Sequence, residues 1–262
     1  MTDLGHVLLT NAGVVTGLMV FVWTVSLLVR DVSIVDIAWG SGFVLIGWTT
    51  FFVTSSAGPT RWELLVLVTI WGLRLAGYLA WRNIGQPEDK RYARMRQRWG
   101  PSFPLISLLT VFGLQAVIMW TVSLPIQLGI AQSFESFNGL HAIGLAAWTV
   151  GMFFESVGDW QLARFKHHSN EENAVLDRGL WRYTRHPNYF GDFCVWWGHF
   201  IVAIAGGANW WTIIGPVVMS VLLMYVSGVT LLERDLKTRK PEYQAYVERT
   251  NTFFPWFPKQ NL

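Results

Sequence analysis

Residues 178–192 read Arg-Gly-Leu-Trp-Arg-Tyr-Thr-Arg-His-Pro-Asn-Tyr-Phe-Gly-Asp, a cation-rich patch between two apolar stretches. Arg178, Arg182, Arg185 and His186 supply hydrogen-bond donors. Asn188 and Asp192 are four apart and share one face of a helix. Pro187 suits the first turn of that helix, where its missing N–H is not needed. A helix start beside several cations is a seat for an anionic group such as a phosphate or carboxylate.

Other chemistry-bearing residues stand inside apolar runs. Glu155 and Asp159 are again four apart, with Arg164 and Lys166 following. Two carboxylates on one apolar face suit ribose hydroxyls or an amino group, or salt bridges to Arg182, Arg185 or Arg234. Asp36, Arg74 and Tyr78 form a second group. Ionisable side chains within membrane spans are costly and mark function or a structural ion pair. Asp36 and Arg74 suit such a pair or a polar anchor for a substrate carbonyl. Tyr78, one turn beyond Arg74, suits proton donation. His167 and His168 are adjacent and point apart, with no spaced third ligand, so no metal site is expected. The one cysteine, Cys194, excludes an internal disulfide. No Gly-x-Gly-x-x-Gly or phosphate-loop lysine motif occurs, so a nucleotide must be held by helices and their side chains.

The elements that carry these residues follow from composition. Of 262 residues, 52% are hydrophobic and 14% charged, and apolar runs of membrane-crossing length recur. They predict an all-α integral membrane protein with about seven transmembrane helices, near 8–29, 33–53, 62–82, 103–127, 139–163, 189–206 and 210–232. With that count, the basic segments around 82–98, 164–185 and 234–259 fall on one side, and Arg61 is the exception. The positive-inside rule makes that side cytoplasmic, the N-terminus outside and the C-terminus inside. For a bacterial source the location is the inner membrane. The net charge of +3 is accounted for by loops facing anionic lipid, so no nucleic-acid partner is expected. No cleavable signal peptide is evident. The polar loop 83–102 carries a predicted short surface helix from Glu88 to Trp99, ended by Gly100-Pro101. It divides the chain into N-terminal spans, 1–102, and a C-terminal domain, 103–262. A short amphipathic helix over Glu242–Arg249 and an aromatic, proline-stiffened end, 253–258, complete the chain.

The stretch Asp177 to Asp192, followed by an apolar span and a charged tail with Tyr243, Tyr246 and an aromatic-proline end, resembles the C-terminal domain of the steroid 5-alpha-reductase family, in its bacterial branch of uncharacterised membrane proteins. The resemblance runs from about residue 139 to 258. It implies a helical bundle whose C-terminal half binds NADPH and whose N-terminal spans hold an apolar substrate from the lipid. The implied reaction reduces an activated carbon–carbon double bond while an acid polarises the carbonyl. By position, Asn188 matches the family's cofactor-contacting Asn and Asp192 stands where Glu is usual. Asp159, Lys166 (in place of an Arg), Tyr183 and Arg185 occupy further cofactor positions. Glu155, Arg164, Arg178, Arg182, His186, Arg234 and Tyr246 complete the expected cofactor set, and Asp36, Arg74 and Tyr78 the catalytic one. The family's early Gln-Glu pair is missing, which weakens the case for a 3-oxo steroid itself, and the expected substrate is a steroid-, isoprenoid- or enone-lipid-like molecule. Membrane methyltransferases of isoprenylcysteine and phospholipids also carry an Arg-His-Pro-x-Tyr segment, and they bind S-adenosylmethionine; that is the competing expectation.

Overall fold

The computed structural model describes residues 4–133, 137–168, 174–226, 229, 233 and 243–259, and among these it is helical with no strand. In chain order the α-helices are α1 (Leu4–Val29), α2 (Ile34–Val53), α3 (Thr60–Asn83), α4 (Lys90–Trp99), α5 (Phe103–Ser107), α6 (Leu114–Val122), α7 (Leu124–Ala131), α8 (Gly139–His168), α9 (Pro187–Ala205), α10 (Ile214–Val221) and α11 (Tyr243–Arg249). A π-helical stretch, Leu108–Gly113, joins α5 to α6.

Five segments are long and apolar enough to cross a membrane: Leu4–Val29, Ile34–Val53, Thr60–Asn83, Lys90–Val122 and Gly139–His168. They correspond to the first five expected spans and make the chain a multi-pass membrane protein. The sixth expected span is α9, which starts at Pro187 as its sequence predicts but carries Asp192 and His199 and falls outside those five. The seventh is a shorter apolar helix, Trp210–Val226.

The chain divides into two compact units. One comprises 1–138 and 202–215, the other 139–201 and 216–262. The division therefore does not fall in the loop 83–102. The apolar stretch 103–131 packs with α1, α2 and α3, because its buried side chains (Phe103, Phe112, Met119, Ile126, Leu128) complete their core.

Within the first unit, α2 and α3 cross at two glycines. A Cβ at Gly40 would lie 2.2 Å from the Gly72 carbonyl oxygen, and one at Gly72 would lie 2.5 Å from that of Gly40. Small residues that let backbones touch are a common solution in lipid, where packing drives helix association. A polar knot ties α1, α2 and α7 together: Asn11 donates to Thr50 Oγ1 (2.8 Å) and Gln127 Oε1 (3.1 Å). Arg61, the exception to the charge pattern, caps the end of α2 by donating to the carbonyls of Phe51 and Thr54.

Candidate functional site

In the second unit the site is built on the crossing of α8 and α9. Glycines recur every seven residues on each helix, at 144, 151 and 158 and at 191 and 198. A Cβ at Gly191 would stand 2.4 Å from the Glu155 amide nitrogen and 2.6 Å from the Gly151 carbonyl oxygen. At Gly158 it would lie 3.1 Å from the Asn188 nitrogen and 3.2 Å from Pro187 Cγ. This contact sets Glu155 and Asp159, 3% and 5% exposed, against the first turns of α9. Asn188 donates to Asp159 Oδ1 at 3.1 Å. The helix start expected to seat an external anion thus already faces one of the protein's own carboxylates.

One turn further along α8 lies an open cleft of about 330 Å³, lined by Trp160, Gln161, Arg164, Phe165, Leu176, Arg178 and Gly179. Arg164 stacks over the Trp160 ring at 5.5 Å. Gly179 is required twice over. Its φ of +63° favours glycine, and a Cβ there would strike the Gln161 amide at 2.4 Å. Gln161 Oε1 accepts from the Leu180 N–H at 3.0 Å, and this turn sets Arg178 on the rim.

The remaining cations of the motif have another task. Arg185 is 5% exposed. It donates through Nε to Glu233 Oε1 (2.7 Å), through Nη1 to the carbonyls of Val247 (3.1 Å) and Thr250, and through Nη2 to Thr252 Oγ1 (2.6 Å). His186 Nε2 lies 3.3 Å from the same Glu233 oxygen. Burial opposes the charge on Glu233, but hydrogen bonds from His186 and Arg185 outweigh it and hold the carboxyl at about 2. Burial lowers the His186 pKa against the opposing pull of Glu233. Tyr246 is buried and donates to the Trp181 carbonyl; its pKa is raised by burial. The Arg185 N–H bonds Asn251 O (2.9 Å), the Trp256 N–H bonds Tyr183 O (3.0 Å), and Arg249 pairs with Asp177. Arg185, His186 and Tyr246, expected to hold a cofactor, instead staple the C-terminal segment beneath residues 177–186. The reason is that buried donors at a lipid edge must find internal acceptors. Arg182, Tyr183 and Lys166 are exposed, and Asp192 is half-buried one turn beyond Asn188. Arg234 lies outside the described residues.

The first unit holds the expected catalytic group but does not pair it as expected. Because α2 and α3 cross at Gly40 and Gly72, Asp36 lies beyond the level of Arg74. Its ion-pair partner is Arg91 of α4, at 3.7 Å, beside the buried Tyr92 of the same helix. Tyr92 in turn accepts from Gln115 Nε2 at 3.4 Å, and Trp39 donates to Gln115 Oε1. Sequence reasoning missed Tyr92 and Gln115. The available signal was a tyrosine flanked by cations on a short amphipathic helix. Tyr78 lies between two guanidiniums of its own helix face, Arg74 at 5.7 Å and Arg82 at 5.6 Å from the ring centroid.

Fold and site thus define a multi-pass helical membrane protein whose α8–α9 crossing buries two carboxylates, with an open cleft between α8 and the turn at 176–179. Over residues 22–250 the chain matches the model of the family described as a protein of unknown function, DUF1295, and it belongs to that family. Among curated proteins and among solved structures, none matches.

Proposed function

We propose that the chain is an NADPH-dependent reductase of the steroid 5-alpha-reductase type, acting on an activated carbon–carbon double bond of a lipophilic, enone- or isoprenoid-like substrate. One observation carries the reading: the buried Glu155 and Asp159, the latter bonded by Asn188, lie on the same helix as a cleft rimmed by Trp160, Arg164 and Arg178. The donor set fits a phosphorylated nucleotide. Carboxylates accept from ribose hydroxyls, guanidiniums bind phosphate by paired N–H groups, and an indole offers a stacking surface. When bound, NADPH supplies the hydride. Arg164 and Arg178 hold its phosphates, and Asp159, oriented by Asn188, holds a ribose. In the first unit Tyr78, flanked by Arg74, is the phenol proposed to pass a proton to the substrate, and Asp36 is a second proton source. The span count of seven with an external N-terminus belongs to the same reading and rests on the one-sided basic loops; an inner-membrane location follows for a bacterial source.

A carboxylate at the start of α9, where a phosphate seat was expected, favours a second reading. S-adenosylmethionine carries positive charge and would suit Asp159 and Glu155, as in a membrane methyltransferase of the isoprenylcysteine or phospholipid type. Thermal shift of the full chain in detergent separates the two, since only a ligand of the folded state raises Tm. The reductase reading expects stabilisation by NADPH exceeding that by NADH. Arg178→Gln, at an exposed position, should weaken the NADPH effect about tenfold or more through loss of a charge-assisted bond. Stabilisation by S-adenosylmethionine alone replaces the first reading with the second.

A further inference from the structure

Helix α4 has the clearest division of labour among its cations. Arg91 pairs with Asp89 (3.0 Å) and Asp36, and Arg96 with Glu88 (2.8 Å). Tyr92 is buried against the first unit. Lys90, Arg94 and Arg98 recur every four residues on the opposite face, are exposed, and pair with no carboxylate among the described residues. At 1.5 Å rise per residue they form a row about 12 Å long.

The surroundings say what covers this row. Gly100–Ser102 joins α4 directly to the apolar segment starting at Phe103, so α4 lies where the hydrocarbon begins. Trp81, Ile84, Trp99 and Leu105 nearby in sequence are exposed apolar side chains. An amphipathic basic helix with an indole at its end is the usual design for resting on a charged bilayer surface. The rest of the helix is anchored by ion pairs, so its free row is held in place before any ligand arrives.

We infer that Lys90, Arg94 and Arg98 form a binding site for the phosphodiester headgroup of an anionic phospholipid in the leaflet on which α4 rests. The carboxylates beside them each pair with another cation, Asp36 and Asp89 with Arg91 and Glu88 with Arg96, and none pairs with the row. This inference is independent of the reductase reading.

The test uses the full chain purified in detergent and titrated with phosphatidylglycerol or phosphatidylcholine, with retained lipid counted by native mass spectrometry. The wild type should keep phosphatidylglycerol in preference. Each cation near a surface changes affinity about fivefold, so Lys90→Gln/Arg94→Gln/Arg98→Gln should lose about a hundredfold and the preference with it. Binding of phosphatidylcholine should stay unchanged, and an unaltered helical circular-dichroism spectrum verifies the fold. A control, Arg182→Gln/Lys259→Gln, removes exposed cations elsewhere and should retain the preference. Undiminished preference in the triple variant, or equal loss in the control, overturns the site.

Discussion

Adding one methyl group at Gly191 tests the architecture of the α8–α9 site. In Gly191→Ala the new Cβ would come to 2.4 Å from the Glu155 nitrogen and 2.6 Å from the Gly151 carbonyl oxygen. Both neighbours are backbone atoms of another helix, so no rotamer change relieves the clash and the helices must separate. Overpacking of this kind costs about 1–3 kcal/mol, and rigid neighbours put Gly191 at the upper end, about 2–3 kcal/mol. At roughly 2–4 °C per kcal/mol, Tm should fall by about 5–10 °C in a detergent melt. Separation also draws Glu155 and Asp159 away from Asn188, so ligand stabilisation should shrink along with Tm. The internal control is Gly17→Ala on α1, where a Cβ meets nothing within 4 Å. There the better helix propensity of Ala should leave stability unchanged or raised by up to about 1 kcal/mol. A Gly191→Ala protein that melts with the wild type would refute the close crossing and the placement of the carboxylates that depends on it.

Glu233→Gln leaves the Arg185 guanidinium buried without its counter-charge. Breaking a buried pair costs about 3–5 kcal/mol, and the retained bonds to Val247, Thr250 and Thr252 put this one at about 3, read as a Tm loss of roughly 6–12 °C; a loss under 2 °C would remove the staple from the account. Acidification should act on the same group. The lowered His186 pKa means that the unfolded chain takes up a proton first as pH falls below 6.5, and the depressed Glu233 pKa adds a loss between 4.5 and about 2. Tm should therefore be flat from pH 8 to 7 and decline below, more steeply under 4.5, and a Tm that rises on acidification contradicts the sign.

What the sequence disclosed was local. Pro187 at the start of α9, Gly100 at the end of α4, and the helix Tyr243–Arg249 are each set by residues within a turn of the feature they mark. The pairing of Asp36 was not legible, because a helix register depends on where two backbones meet. Gly40 and Gly72 fix that point, and a pattern of apolar residues alone does not distinguish an Asp36–Arg74 bridge from one to Arg91. The tail was harder still: its acceptors for Arg185 lie about sixty residues away, and several are backbone carbonyls, which leave no trace in residue type. The seven-residue glycine spacing on α8 and α9 was a usable sign of a close crossing, since lipid gives helices little reason to associate except packing and polar bonds.

The motif at 178–192 also shows why donor density is a poor guide to a binding site in a membrane protein. A guanidinium at the lipid edge is stable only when acceptors reach it, and the first to do so belong to the chain itself. Arg185 is saturated by that demand, whereas Arg164 and Arg178 stand on an open rim. The distinction governs which substitutions can report on function. Loss of Arg185 removes the C-terminal segment's anchor, so lost ligand binding there would reflect lost structure. Arg178 touches the cleft through a glycine-dependent turn held by Gln161, and the turn stays when its side chain is shortened. Ligand affinity measured at Arg178 therefore speaks to the chemistry of the site, and at Arg185 only to the scaffold beneath it.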